Sequence, residues 1–197
     1  MNYIMFYPYP LVAGLLIVSL IGFLLRRRGW AYVAAITLLG IYSLLLADAM
    51  FFPFHVPEGW PASANWEDIS VALNNSLNLI PFHFGRLFSD AALGRISYHM
   101  VFWQTIGNVL ITIPYGLGTG TLTKVRGWKV LLISLGVGFA LEGMQFVFIL
   151  LGIGNPHVID INDLLLNAAG VLVGYGLFKI VVVALRKTKL IPSNQNT

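Results

Sequence analysis

The sequence contains no cysteine, which excludes disulfides, thiolate nucleophiles and cysteine-bound metals. Charge is scarce as well. Asp, Glu, Lys and Arg make up 10% of the 197 residues, where an average soluble domain has roughly 25%. So few charges cannot solvate the surface of a chain this long, and lipid is the expected solvent. No charged residue precedes Arg26. This argues against a cleaved signal peptide, whose positive charges come before its apolar stretch. There is no G-x-S-x-G nucleophile elbow and no phosphate-binding loop. No two of His55, His83, His99 and His157 have ligand-like spacing, so neither a metal nor another cofactor is expected. Internal repeats and low-complexity segments are absent too.

What is present is hydrophobic: 57% of the residues. A membrane-spanning helix needs about 20 mostly apolar residues. Runs that nearly lack charge predict five spans, over about 8–25, 30–50, 98–120, 130–152 and 161–185. The expected fold class is all-α, an integral membrane bundle in one domain over 1–190. Residues 191–197 are expected to form a disordered tail. The net charge of +4 does not signal a nucleic-acid partner, because the basic residues cluster beside the apolar runs. Arg26–Arg28 lie between spans 1 and 2. Lys124, Arg126 and Lys129 lie between spans 3 and 4. Arg186, Lys187 and Lys189 follow span 5. Five spans place all three clusters on one side, the cytoplasmic side by the positive-inside rule. The N-terminus is then outside and the C-terminus cytoplasmic. All eight acidic residues fall on the outer side or in the membrane half facing it.

The longest connection, Phe51 to Arg95, is therefore external. It carries Pro53, Pro57 and Pro61 with Trp60 and Trp66, and tryptophan favours the headgroup level. Within it, Ile69 to Gly85 is uncharged but contains Asn74, Asn75, Ser76 and Asn78. That is too polar for a span. A re-entrant or surface-lying helix ending at Pro81 is expected.

Polar residues inside the spans recur at helical spacing. Gln104, Asn108, Thr112 and Tyr115 share one face of span 3, which Pro114 should kink. Gly138, Glu142 and Gln145 share a face of span 4, with Glu142 ~15 Å below the outer end. Asp160, Asp163, Asn167, Gly170 and Gly174 share a face of span 5, and glycines permit close helix approach. An ionisable group at a span centre costs about 2.5–3.5 kcal/mol, so those that persist usually face a bundle interior or a wet cavity. Convergence of these three stripes would create one polar site in the outer half of the membrane.

Four segments carry a family resemblance. They are Asn78-Leu79-Ile80-Pro81-Phe82, Gly107-Asn108 through Pro114-Tyr115-Gly116, Glu142-Gly143-Met144-Gln145, and Asp160-Ile161-Asn162-Asp163 through Asn167 to Gly170. In order and spacing they resemble the VanZ-like family over about residues 78–175. The resemblance implies a multi-pass protein of the bacterial cell membrane, linked to glycopeptide resistance, teicoplanin above all. Two positions depart from the pattern. Asn162 stands where the family usually has Asp, and His157 where Arg is common, which suggests a lost or altered ion pair.

Three functions compete. A binder would use Asn78, Asn108, Glu142, Gln145, Asp160, Asp163 and Asn167 to hold a lipid-linked cell-wall precursor or the acyl-tailed antibiotic. An intramembrane enzyme acting on a lipid-linked envelope substrate would use Glu142 and Asp163 as acid and base. A transporter is disfavoured by five helices without a repeat. Membrane lipids are partners in each case.

Overall fold

A computed structural model describes residues 3–6, 9–51, 54–57, 66–82, 84–152 and 159–188. His83, His157, Trp60 and the expected tail at 191–197 lie outside these residues, as do the side chains of His55 and Trp66. The chain divides into two compact units. One comprises Met1–Pro81 and Ala140–Ile161, the other Phe82–Phe139 and Asn162–Thr197.

The first unit opens with helices α1 (Tyr9–Leu24) and α2 (Trp30–Phe51). Arg26–Arg28 form a tight 3₁₀ turn that joins them. Side-chain contacts at glycines set the pairing. A Cβ on Gly14 would meet Leu44, one on Gly22 would meet Thr37, and one on Gly40 would meet Val18. That descending order is an antiparallel hairpin. Strands β1 (Tyr3–Phe6) and β2 (Phe54–Pro57) pair antiparallel and tie together its far end. Helix α3 (Trp66–Ser76) follows. It stops five residues short of Pro81, because Leu77–Asn78 (β3) turns extended and pairs in parallel with Ile159–Asp160 (β4). The short strands were not foreseen from periodicity, since two to four residues are too few to show alternation.

The second unit holds α4 (Phe84–Ala92), α5 (Tyr98–Phe102) and α6 (Asn108–Leu122). A π-helical turn, Trp103–Gly107, links α5 to α6. Ser97 caps α5 by accepting the Met100 N–H at 3.1 Å. Helix α7 (Trp128–Leu151) crosses from the second unit into the first, and α8 (Ile161–Lys187) lies almost wholly in the second.

Among the described residues, α2, α7 and α8 are long and apolar enough to cross a membrane. Helix α1 has 16 residues, which at 1.5 Å per residue is about 24 Å against a hydrocarbon core of about 30 Å. The surface agrees with lipid as solvent. Leu16, Leu24, Leu38, Phe139 and Ile180 are all more than half exposed. Water would not tolerate that many, whereas acyl chains cover them without cost. The chain is thus an all-α membrane protein.

Candidate functional site

In the first unit, the buried stripe of α7 contains Leu141, Glu142, Gln145 and Ile149. These residues recur at helical spacing, so one face points inward, while Met144, Phe146 and Val147 are exposed. Glu142 is 5% exposed. Its Oε2 accepts the backbone N–H of Asp160 at 3.2 Å. Asp160 in turn accepts at Oδ2 from the side-chain amide of Asn78, 2.8 Å away. Asn78 also receives the Ile80 N–H at its Oδ1, at 3.4 Å. Three residues predicted from sequence are therefore linked in one hydrogen-bonded chain, through the Asp160 side chain to Asn78 and through its main-chain N–H to Glu142. The parallel pairing of Asn78 with Asp160 sets its geometry. Next to it in sequence, Leu79 and Ile80 are exposed, as expected of a loop that meets lipid. Gln145 lies one turn beyond Glu142 on α7. It is buried, and its Oε1 has no hydrogen-bond partner.

In the second unit, α6 and α8 meet along a seam of small residues. A Cβ on Gly170 would collide with the Val109 carbonyl and the Thr112 hydroxyl. One on Gly174 would collide with the Ile113 carbonyl, and one on Gly116 with the Val171 carbonyl. Gly120 lies against the Phe178 ring, and Gly138 of α7 against the Leu164 carbonyl. Thr112, fully buried, donates to the Asn167 carbonyl at 2.8 Å. Asn167 is 2% exposed, and its side-chain Oδ1 has no partner. Asn108 is half-buried and turns its amide onto its own helix, donating to the Gln104 carbonyl at 3.0 Å. Asp163 sits half-buried in the first turn of α8, where the helix dipole favours a negative charge.

One expectation changes here. Gln104 was placed on the face of Asn108 and Thr112, but it is exposed. The π turn widens the helix by one residue and rotates Gln104 off that face. Helical structure runs through Pro114.

Asn162 has a clear role. It is buried, and its Oδ1 accepts the Phe82 N–H at 2.5 Å. Phe82 has φ of 60°, a left-handed conformation that a bulky residue adopts only when its surroundings hold it. An amide oxygen accepts such a bond in the same geometry as a carboxylate oxygen, without the added strength of a charge. The departure at this position therefore keeps the acceptor that the turn requires.

Sequence reading missed Asp48. Its Oδ1 is enclosed without a partner, on the turn of α2 that precedes Phe51. The signal was available: an acid near the end of a span-length helix.

A profile of the VanZ/LLP1 family matches residues 39–182, most of the chain and every site residue named above. No curated protein and no solved structure matches the chain.

Proposed function

Because the chain belongs to the VanZ/LLP1 family, we propose that it binds a lipid-anchored polar ligand from the outer leaflet of a bacterial cell membrane. The ligand is a lipid-linked cell-wall precursor or an acyl-tailed glycopeptide such as teicoplanin. The observation that carries this reading is the part-buried Asn78–Asp160–Glu142 chain beside the exposed Leu79 and Ile80. Polar groups that orient a head group then adjoin apolar ones that accompany its tail, which is the composition of a ligand site. Gln145 adds an acceptor on the Glu142 face.

Binding is favoured over acid–base chemistry by one contact. Glu142 accepts at Oε2 from a main-chain N–H, a contact that positions the Asp160 backbone and transfers no proton. A general base must instead reach a substrate proton. In the proposed topology of five spans, the N-terminus is outside and the C-terminus cytoplasmic.

Purified protein in nanodiscs should bind an acyl-tailed glycopeptide and ignore the same glycopeptide with the tail removed. Alanine at Glu142 or Asp160 should weaken that binding about tenfold or more, the loss expected when a charged hydrogen bond goes, while membrane insertion stays intact. Normal binding and resistance in both variants would end the proposal. Incubation with labelled lipid precursors, followed by mass spectrometry, separates the enzyme, since turnover would rule out a pure binder. Reporter fusions at Lys124 and at the C-terminus should both read cytoplasmic.

A further inference from the structure

Asp48 stands apart from the Glu142 chain and has no role in it. Its Oδ1 is shut off from solvent and unpaired, and a buried acceptor without a donor is costly. Gln145 is in the same condition on α7. It is 9% exposed with its Oε1 unpaired. Both residues belong to the first unit. There α2 and α7 touch through the stacked rings of Phe51 and Phe148, with centroids 4.9 Å apart and planes 25° from parallel. Asp48 lies three residues before Phe51, and Gln145 three residues before Phe148. Residues three apart share a helix face. In the five-span topology proposed above, α2 and α7 both run outward. The Cα of each polar residue then lies about 4.5 Å below that of its ring residue, at the same depth on two helices.

We propose that Asp48 and Gln145 form the walls of a subsite beneath the Phe51–Phe148 stack that takes a primary ammonium group. The unpaired atom on each wall is an acceptor oxygen, and Asp48 adds a charge. An ammonium supplies three N–H donors and the opposite charge. Pairing with a cation is also what makes a carboxylate tolerable in a low-dielectric setting. Among the described residues no three His, Asp or Glu are grouped to hold a metal ion, so a compact organic cation suits the donor-poor pair better. Phe51 ends α2, which puts Asp48 within one turn of that terminus, the level at which head groups meet hydrocarbon. The ammonium can belong to a membrane lipid head group or to a free amine. This inference rests on the topology of the proposed function but not on its ligand.

The full chain is purified in detergent. Retention of phosphatidylethanolamine and phosphatidylcholine is compared by native mass spectrometry, and the unfolding temperature is read with each lipid, with ethanolamine and with sodium chloride. Phosphatidylethanolamine should be retained and should raise the unfolding temperature. Phosphatidylcholine, whose nitrogen has no N–H, should do neither. Asp48→Asn should cut retention about tenfold, the effect of losing a charged hydrogen bond, and Gln145→Leu should also reduce it. The lipid-free unfolding temperature of Asp48→Asn should be unchanged or higher, which excludes simple misfolding. Protection by ethanolamine as well would support the ammonium and place its source in solution. Equal retention of the two lipids, wild-type retention in Asp48→Asn, or protection by sodium chloride alone would overturn the proposal. Glycopeptide binding is a separate readout, so either proposal can fail while the other stands.

Discussion

The α6–α8 seam is buried and the Asn78–Asp160–Glu142 chain part-buried, and they are held by opposite means. The seam works by removal of side chain. Four glycines, Gly116, Gly120, Gly170 and Gly174, let main-chain carbonyls or a ring occupy the space a Cβ would fill, and one hydroxyl, from Thr112, ties the helices across the gap. The chain works by addition. Polar side chains from α7 and from β3 meet the residue before α8, one at its main-chain N–H and one at its carboxylate. In lipid there is no hydrophobic force between helices, so packing of small residues is the ordinary way to hold them together. Charged groups are an expensive substitute for glycine. A protein that carries both in one chain uses the glycines for architecture, and the acids call for another explanation.

This contrast can be broken most forcefully at the seam. Gly116→Val and Gly174→Val each drive carbons into main-chain atoms that cannot move aside. Overpacking typically costs about 1–3 kcal/mol, occasionally more. The expected result is little folded protein, read by size-exclusion chromatography in detergent and by thermal unfolding. Normal folding of both variants would show that the seam is looser than its contacts indicate.

A smaller effect is expected at the polar chain. Glu142→Ala leaves the Asp160 N–H without its acceptor, at about 1–3 kcal/mol, whereas Glu142→Gln retains an oxygen for it. The alanine variant should therefore unfold at a lower temperature than the glutamine variant. A matching loss in both would mean that the negative charge, not the acceptor, is what the fold needs. Asn78→Ala removes a single bond to a carboxylate, worth about 1.5–3 kcal/mol in favourable cases, and less here because the contact is part-buried. Its effect on unfolding should fall below that of Glu142→Ala.

The smallest change is expected at Phe82. Glycine adopts a positive φ without the roughly 1–2 kcal/mol that an L side chain incurs. Phe82→Gly should leave stability level or slightly raised, while the loss of an exposed ring weakens attachment to lipid vesicles in flotation assays. A marked fall in stability would show that the ring packs against the protein.

Much of this molecule was legible along the chain. Glu142 and Gln145 were placed on one face of their helix because spacing within a helix is a local property, and they are buried there. Gly170 and Gly174 were read as close-approach positions for the same reason, and α6 lies against both. The π turn defeated that logic at Gln104. A spacing of four residues presupposes a regular helix, and the packing of Trp103 against Gly107 accompanies a different one. The helix expected to reach Pro81 ended at Ser76 because its continuation found a strand partner elsewhere.

Composition and the length of apolar runs by themselves determined that the solvent is lipid and that the chain is helical, since a buried backbone in hydrocarbon must satisfy its own hydrogen bonds. Tertiary structure alone decided which polar groups meet. Asn78 and Asp160 are 82 residues apart, and Phe82 and Asn162 are 80 apart. No periodicity within one helix can report such pairings, because they depend on where two distant segments come to rest. The same holds for the unpaired oxygens of Asp48 and Gln145, which become conspicuous only once burial has removed the water that would otherwise satisfy them.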